Sequence, residues 1–160
     1  MSASNPLLGL PADKAQHFFV DIVPHSKALG LKLVACEAGK VVLDLPYDKR
    51  LIGNPETGVI HGGATTTLFD ATCGAAVLTA LRTIRRIATL DLRIDYLRPA
   101  KPGHTIRCEA ECYRVTHQVA FVRAVAHDGD ARDLLASAAG TFVLFEEIGQ
   151  RGSRPKESAP

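Results

Sequence analysis

The chain has no tryptophan, a single methionine and only 6% aromatic residues. Its aromatics do not interleave with basic residues, so it lacks a platform on which nucleic-acid bases would stack. Charge of one sign is also missing. Nineteen Lys and Arg oppose 17 Asp and Glu, which leaves +2 with the histidines neutral and gives no argument for a nucleic-acid partner. No apolar run approaches the roughly 18 residues that a membrane-spanning helix needs. The first ten residues have no basic stretch before their short apolar patch and do not read as a signal peptide. Cys36, Cys73, Cys108 and Cys112 make no CxxC pair, and no His or Cys stands at zinc-finger spacing. They read as small core residues in a reducing compartment, and the expected location is the cytoplasm. A P-loop, a dinucleotide-binding glycine pattern and a metal constellation are all missing. Ser26 and Ser137 lack the Gly-x-Ser-x-Gly elbow of a serine hydrolase.

What is present is one domain's worth of chain. At 160 residues, 46% of them hydrophobic, it can bury a real core. Residues 1–10 read as a loose terminus, 11–147 as a single domain and 148–160, rich in Gly, Ser and Pro, as a disordered tail. Pro11 to Val23 reads as an amphipathic helix with a face of Ala15, Phe18, Phe19 and Ile22, ended by Pro24. Phe18 and Phe19 serve either core packing or the lining of a pocket. A turn over 25–30 follows. Leu31 to Cys36 and Lys40 to Pro46 read as a hairpin around Glu37-Ala38-Gly39, and Tyr47 to Val59 as a long loop. Further on, Ile87 to Tyr96 alternates, with Leu90, Leu92, Ile94 and Tyr96 on one face and Thr89, Asp91, Arg93 and Asp95 on the other. Strands over 105–115, 119–127 and 134–145 complete the pattern. One sheet of six antiparallel strands and one apolar helix give an α+β fold, the sheet curled around the helix, with a further helix at the N-terminus.

That apolar helix runs from about Gly62 to Leu81 and is the centre of the pattern. It has no polar face, so it belongs inside the protein. It nevertheless carries Asp70, and an acid in such a setting is costly to bury and marks a candidate functional group. The helix opens from Gly58-Val59-Ile60-His61-Gly62-Gly63. That motif, with Asn54 before it, Asp70 nine residues after the His, and the strand ending Thr89-Leu90-Asp91-Leu92-Arg93-Ile94-Asp95-Tyr96-Leu97-Arg98-Pro99-Ala100, resembles the PaaI-type acyl-CoA thioesterases of the hotdog fold. The resemblance covers about 29–145. It implies a hotdog fold and hydrolysis of an acyl-CoA or aryl-acyl-CoA thioester, with no cofactor beyond the CoA of the substrate itself.

The chemistry can be read beside the resemblance. Hydrolysis needs a polarised carbonyl and an activated oxygen. Backbone N–H groups at a helix start lack intrahelical acceptors and sit at the positive end of the dipole. Gly62 and Gly63 carry no side chain to block an approaching carbonyl, so their N–H groups are oxyanion-hole candidates. The other reading is that they only allow tight packing. Asp70 would attack the carbonyl carbon or take a proton from water. By resemblance, Thr89 matches a hydroxyl that holds the attacking water, though it also suits an ordinary strand. His61 and Asn54 match positions that shape the turn and the thioester end of the site, and His61 also suits a simple helix cap. Arg98 and Lys101, with Arg114 and His117, are candidate contacts for the CoA phosphates. Arg82, Arg85 and Arg86 form a second basic group.

Eight residues of helix separate Gly62 from Asp70, about 12 Å at 1.5 Å per residue. One thioester cannot reach both within one chain. A two-fold homodimer with its helices side by side would bring the helix start of one subunit to the Asp of the other. Such dimers can pair further into a tetramer. Two alternatives stand beside hydrolysis: a hotdog hydratase or dehydratase using His61 and Asp70, and an acyl-CoA-binding module without turnover.

Overall fold

Alternation sets the inner face of the main sheet. In the computed structural model, which describes residues 5–147, Val41, Leu43 and Leu45 of β2 (Lys40–Leu45) point inward. So do Ile106, Cys108 and Ala110 of β6 (Ile106–Val115), and Ala120, Val122, Ala124 and Ala126 of β7 (Val119–His127). They close on the long helix α3 (Gly62–Ala80) through Leu68, Phe69, Cys73, Ala76 and Val77, all buried. With β1 (Lys32–Glu37), β5 (Arg85–Tyr96) and β8 (Ala136–Glu147), the antiparallel sheet has the order β1-β2-β6-β7-β8-β5. This is the hotdog arrangement. The run Ala136-Ser137-Ala138-Ala139, helical by propensity, is strand, because β7 and β5 pair with it on both sides.

Four expectations are corrected. The single N-terminal helix is instead α1 (Ala12–Gln16), a π-type turn (His17–Asp21) and a separate α2 (Pro24–Ala28). The Ile22 N–H reaches back five residues to the His17 carbonyl at 3.0 Å. The extra residue in that turn rotates the face, so Val20 is buried while Ile22 stays 53% exposed. The loop 47–59 contains a second small hairpin, β3 (Ile52–Asn54) with β4 (Val59–Ile60).

Residues 5–10 are not loose. Asn5 and Leu7 are buried, and Asn5 Nδ2 donates to the carbonyls of Leu78, Thr79 and Leu81 at 2.8, 3.1 and 2.6 Å. These are C-terminal carbonyls of α3 that the helix itself leaves unpaired. Residues 1–4 and the expected tail 148–160 lie outside the described residues.

The alternation of β5 is also broken. Thr89 pairs with Phe142 and Asp91 with Thr141, so Leu90 is an extra residue. It is pushed outward, 59% exposed. Past this bulge Leu92 pairs with Gly140, where a Cβ would come within 3.0 Å of the Asp91 carbonyl oxygen. The missing side chain lets β5 press in. The bulge sets Thr89, before it, on the same helix-facing side as Leu92, Ile94 and Tyr96, after it.

Candidate active site

The β3–β4 hairpin delivers His61 to the start of α3. The His61 N–H donates to the Leu51 carbonyl at 2.8 Å, and Gly53 lies so close that a Cβ there would meet His61 Cα at 2.8 Å. His61 is the N-cap, and its Nδ1 accepts the Gly63 N–H at 2.9 Å. An accepting Nδ1 carries no proton, so the proton of the neutral ring is on Nε2. The two glycines therefore differ. The Gly63 N–H is taken up by the cap, whereas the Gly62 N–H has no intrachain acceptor among the described residues. The carbonyl of Gly62 is fixed from the other side by Tyr96, whose hydroxyl donates to it at 2.9 Å and meets Thr66 Oγ1 at 3.2 Å. Sequence reasoning passed over Tyr96 and Gly53 as site residues. Tyr96 already stood in the Tyr-Leu-Arg-Pro ending of the strand, but only folding shows which way its ring points.

Two turns along α3, Asp70 faces out of the core. It is exposed, so the burial expected for it is not found. Thr89 Oγ1 donates to Asp70 Oδ1 at 2.7 Å. The bulge at Leu90 is what aims it there. The pair opens onto a cleft of about 360 Å³ between α3, β5 and the N-terminal segment. Phe18, Phe19, Ile22, Leu78, Ile87 and Phe142 give it apolar walls. Phe19 is thus both core and lining. A second hollow of about 470 Å³ runs from His61 and Gly63 past Arg50 and shares His25 and Thr67 with the first.

Other predicted residues lie elsewhere or are already occupied. Asn54 Oδ1 accepts the Glu56 N–H at 3.0 Å, and its carbonyl accepts the Gly58 N–H at 2.8 Å, so it builds the β3–β4 turn. Arg98 makes a bidentate pair with the buried Asp128 at 2.9 and 2.7 Å and also bonds Asp133. The guanidinium holds the Asp128 carboxyl well below the usual range, helped by the Lys101 N–H, while Asp128 raises Arg98. Lys101 Nζ stands 3.8 and 3.7 Å from Asp128 and Asp133 and is half exposed. Arg114 and His117 are exposed at the β6–β7 turn. Arg85 is bound to the carbonyls of His117, Leu144 and Phe145, Arg86 stacks over Phe145, and Arg82 is exposed.

Burial raises the thiols of all four cysteines, Cys108 to about 12. A thiol held neutral is a poor nucleophile.

Comparison with known proteins agrees with this fold. The thioesterase superfamily model matches residues 57–134. A medium/long-chain acyl-CoA thioesterase, YigI of Salmonella typhimurium, is 30% identical over 139 residues, 79% of this chain and 88% of that protein. A crystal structure of a Pseudomonas aeruginosa protein superposes with a TM-score of 0.74 at 42% identity, over 83% of this chain and 98% of that one. The PaaI protein of the Escherichia coli phenylacetic acid degradation operon has the same fold, with a TM-score of 0.73 at 19% identity over 85% and 94% of the two chains. Identity of this extent across most of both chains goes beyond a shared architecture, and the chain belongs to the thioesterase superfamily.

Proposed function

We propose that the protein hydrolyses acyl-CoA thioesters carrying medium or long straight acyl groups, with Asp70 as the reacting carboxylate. The observation that carries this reading is the Thr89–Asp70 hydrogen bond of 2.7 Å at the mouth of an apolar cleft. Asp70 takes a proton from a water that attacks the carbonyl carbon, or attacks that carbon itself and is freed by water afterwards. Either way one water is consumed, the C–S bond breaks and CoA leaves as the thiol; in the second route the acid departs with an oxygen of Asp70, which water replaces by opening the mixed anhydride at the Asp70 carbonyl. Thr89 orients the carboxylate or the water. The oxyanion needs a donor, and the unpaired N–H of Gly62 is the candidate, about 12 Å too far along its own helix. Hence the donor comes from Gly62 of the partner subunit. The edge strand β5 supports this pairing, for it ends the sheet with Leu90, Tyr96 and Leu97 exposed. A second β5 running beside it about a two-fold axis would cover them. Lys101, Arg114 and His117 retain exposed side chains for the CoA phosphates. Arg98 is already committed to Asp128.

The test is release of CoA from an acyl-CoA panel, read with a thiol reagent. Asp70→Asn should lose about 10²–10⁴-fold in kcat while still binding substrate. Thr89→Ala should lose less, and Thr89→Ser should recover most of that loss. Single turnover in heavy-oxygen water separates the two roles, since a nucleophilic Asp70 would itself take up the label. Unchanged turnover in Asp70→Asn, or full activity in a dilute monomer, overturns the reading.

A further inference from the structure

The apolar cleft does not end where the Asp70 hollow ends. A further cavity of about 510 Å³ lies beyond it, lined by Ile84, Arg86 and Phe145 and sharing Phe18, Leu78 and Ile87 with the first. The end near the start of α3 mixes His61, Arg50 and His25 with Leu51 and Ile52. The end near its finish sets Ile84, Ile87 and Phe145 beside Arg85 and Arg86. Phe18 stands on the wall common to the two apolar cavities. It is half-buried and held edge-on against the buried Phe19, with centroids 5.1 Å apart and planes at 86°. The π-type turn at 17–21 begins one residue before it and fixes where it projects. Arg86 lies over the Phe145 ring at 5.7 Å, and Arg85 lines the same cavity with its guanidinium bound to the carbonyls of His117, Leu144 and Phe145.

We infer that Phe18 divides the acyl groove into two chambers in series. The first, beside Asp70 and Thr89, takes the proximal part of a straight acyl chain. The second, bounded by Leu78, Ile84 and Phe145, takes the tail of longer chains. This rests on the thioesterase reading for the direction of the substrate, but the chambers can be tested without turnover.

Each methylene moved from water into an apolar site is worth about fourfold in affinity. Binding should therefore climb with chain length, pause where the tail meets Phe18, and climb again once it enters the second chamber. The experiment measures calorimetric affinities of S-alkyl-CoA thioethers, which cannot be hydrolysed, from butyl to hexadecyl, on the full chain. Phe18→Ala should raise the hexadecyl-to-octyl affinity ratio about tenfold or more, the worth of roughly two further methylenes. Phe18→Leu, which keeps more of the packing on Phe19, should raise it by less. Ile84→Trp, at a residue that lines the second chamber and not the first, should lower the ratio below that of the wild type. A Phe18 variant that changes all chain lengths by one common factor would overturn the inference, and so would a ratio unmoved by Ile84→Trp. Wild-type protein that binds the thioethers with the expected break but releases no CoA from acyl-CoA would refute the thioesterase reading and leave the divided groove standing.

Discussion

Gly63 has no side chain because its neighbour needs the room. A Cβ there would stand 2.9 Å from His61 Nδ1 and 3.2 Å from Cε1. A methyl group at this position must push the ring off its cap. At Gly62 the nearest atom to an added Cβ is the Tyr96 hydroxyl at 3.6 Å, an ordinary contact. The two adjacent glycines therefore make opposite predictions. Gly63→Ala should cost about 1 kcal/mol of stability through the lost cap, seen as a lower Tm, along with turnover. Gly62→Ala should hold or slightly raise Tm, because alanine suits a helix better. It should still reduce turnover, since its methyl occupies the approach to the free N–H. The motif His-Gly-Gly was legible in the sequence. Which glycine serves the cap and which keeps a free donor depended on the rotamer of His61, and no spacing rule reports that. Asp70 stood out as an acid on an apolar helix, whereas Thr89 was reached through the resemblance alone, since on a strand a threonine is an ordinary residue; their hydrogen bond appears only in the folded chain.

At the scale of elements, α3 is positioned at both ends by groups outside it. Its start is held by His61 and Tyr96, and its finish by Asn5, 73 to 76 residues away in sequence. Truncating Asn5 to alanine leaves buried carbonyls without their donor. This should cost about 1–3 kcal/mol, a drop in Tm of roughly 2–12 °C for a chain of this size, measurable by thermal unfolding. An unchanged Tm would show that water replaces the amide. The strand β5 carries a parallel lesson. Its residues alternate cleanly on paper, yet the bulge at Leu90 shifts the register by one and turns Thr89 toward Asp70. Just past the bulge, Leu92 pairs with Gly140, whose missing side chain admits the Asp91 carbonyl. A period-two pattern cannot reveal an irregularity in the pairing.

Across the whole molecule, the β5 end is tied to the β7–β8 loop by Arg98, Asp128, Asp133 and Lys101. Asp128 has a folded-state pKa below its unfolded value. Its contribution to stability is therefore complete above the ordinary carboxylate value of about 3.9 and is lost as the pH falls below that toward the folded value. Asp128→Asn should cost roughly 3 kcal/mol near neutrality, because it leaves the partly buried Arg98 short of its counter-charge. The gap in Tm between wild type and variant should close as the pH drops below about 4. A gap that does not vary with pH would show that packing, and not the ion pair, matters at this site.

The chain by itself determined the features that rest on local periodicity and composition. These are the apolar helix with a polar group on it, all six long strands in outline, and the glycine turn that opens the helix. Hydrophobic burial acts through such patterns, so they can be read one window at a time. Tertiary structure decided what depends on pairs far apart in the chain: the commitment of Arg98 to Asp128, the docking of Asn5, the bulge at Leu90 and the seating of Phe18 between two cavities. Hydrogen bonds, ion pairs and close contacts are short-ranged and directional, and folding brings their partners from distant segments, so no single window of sequence contains both.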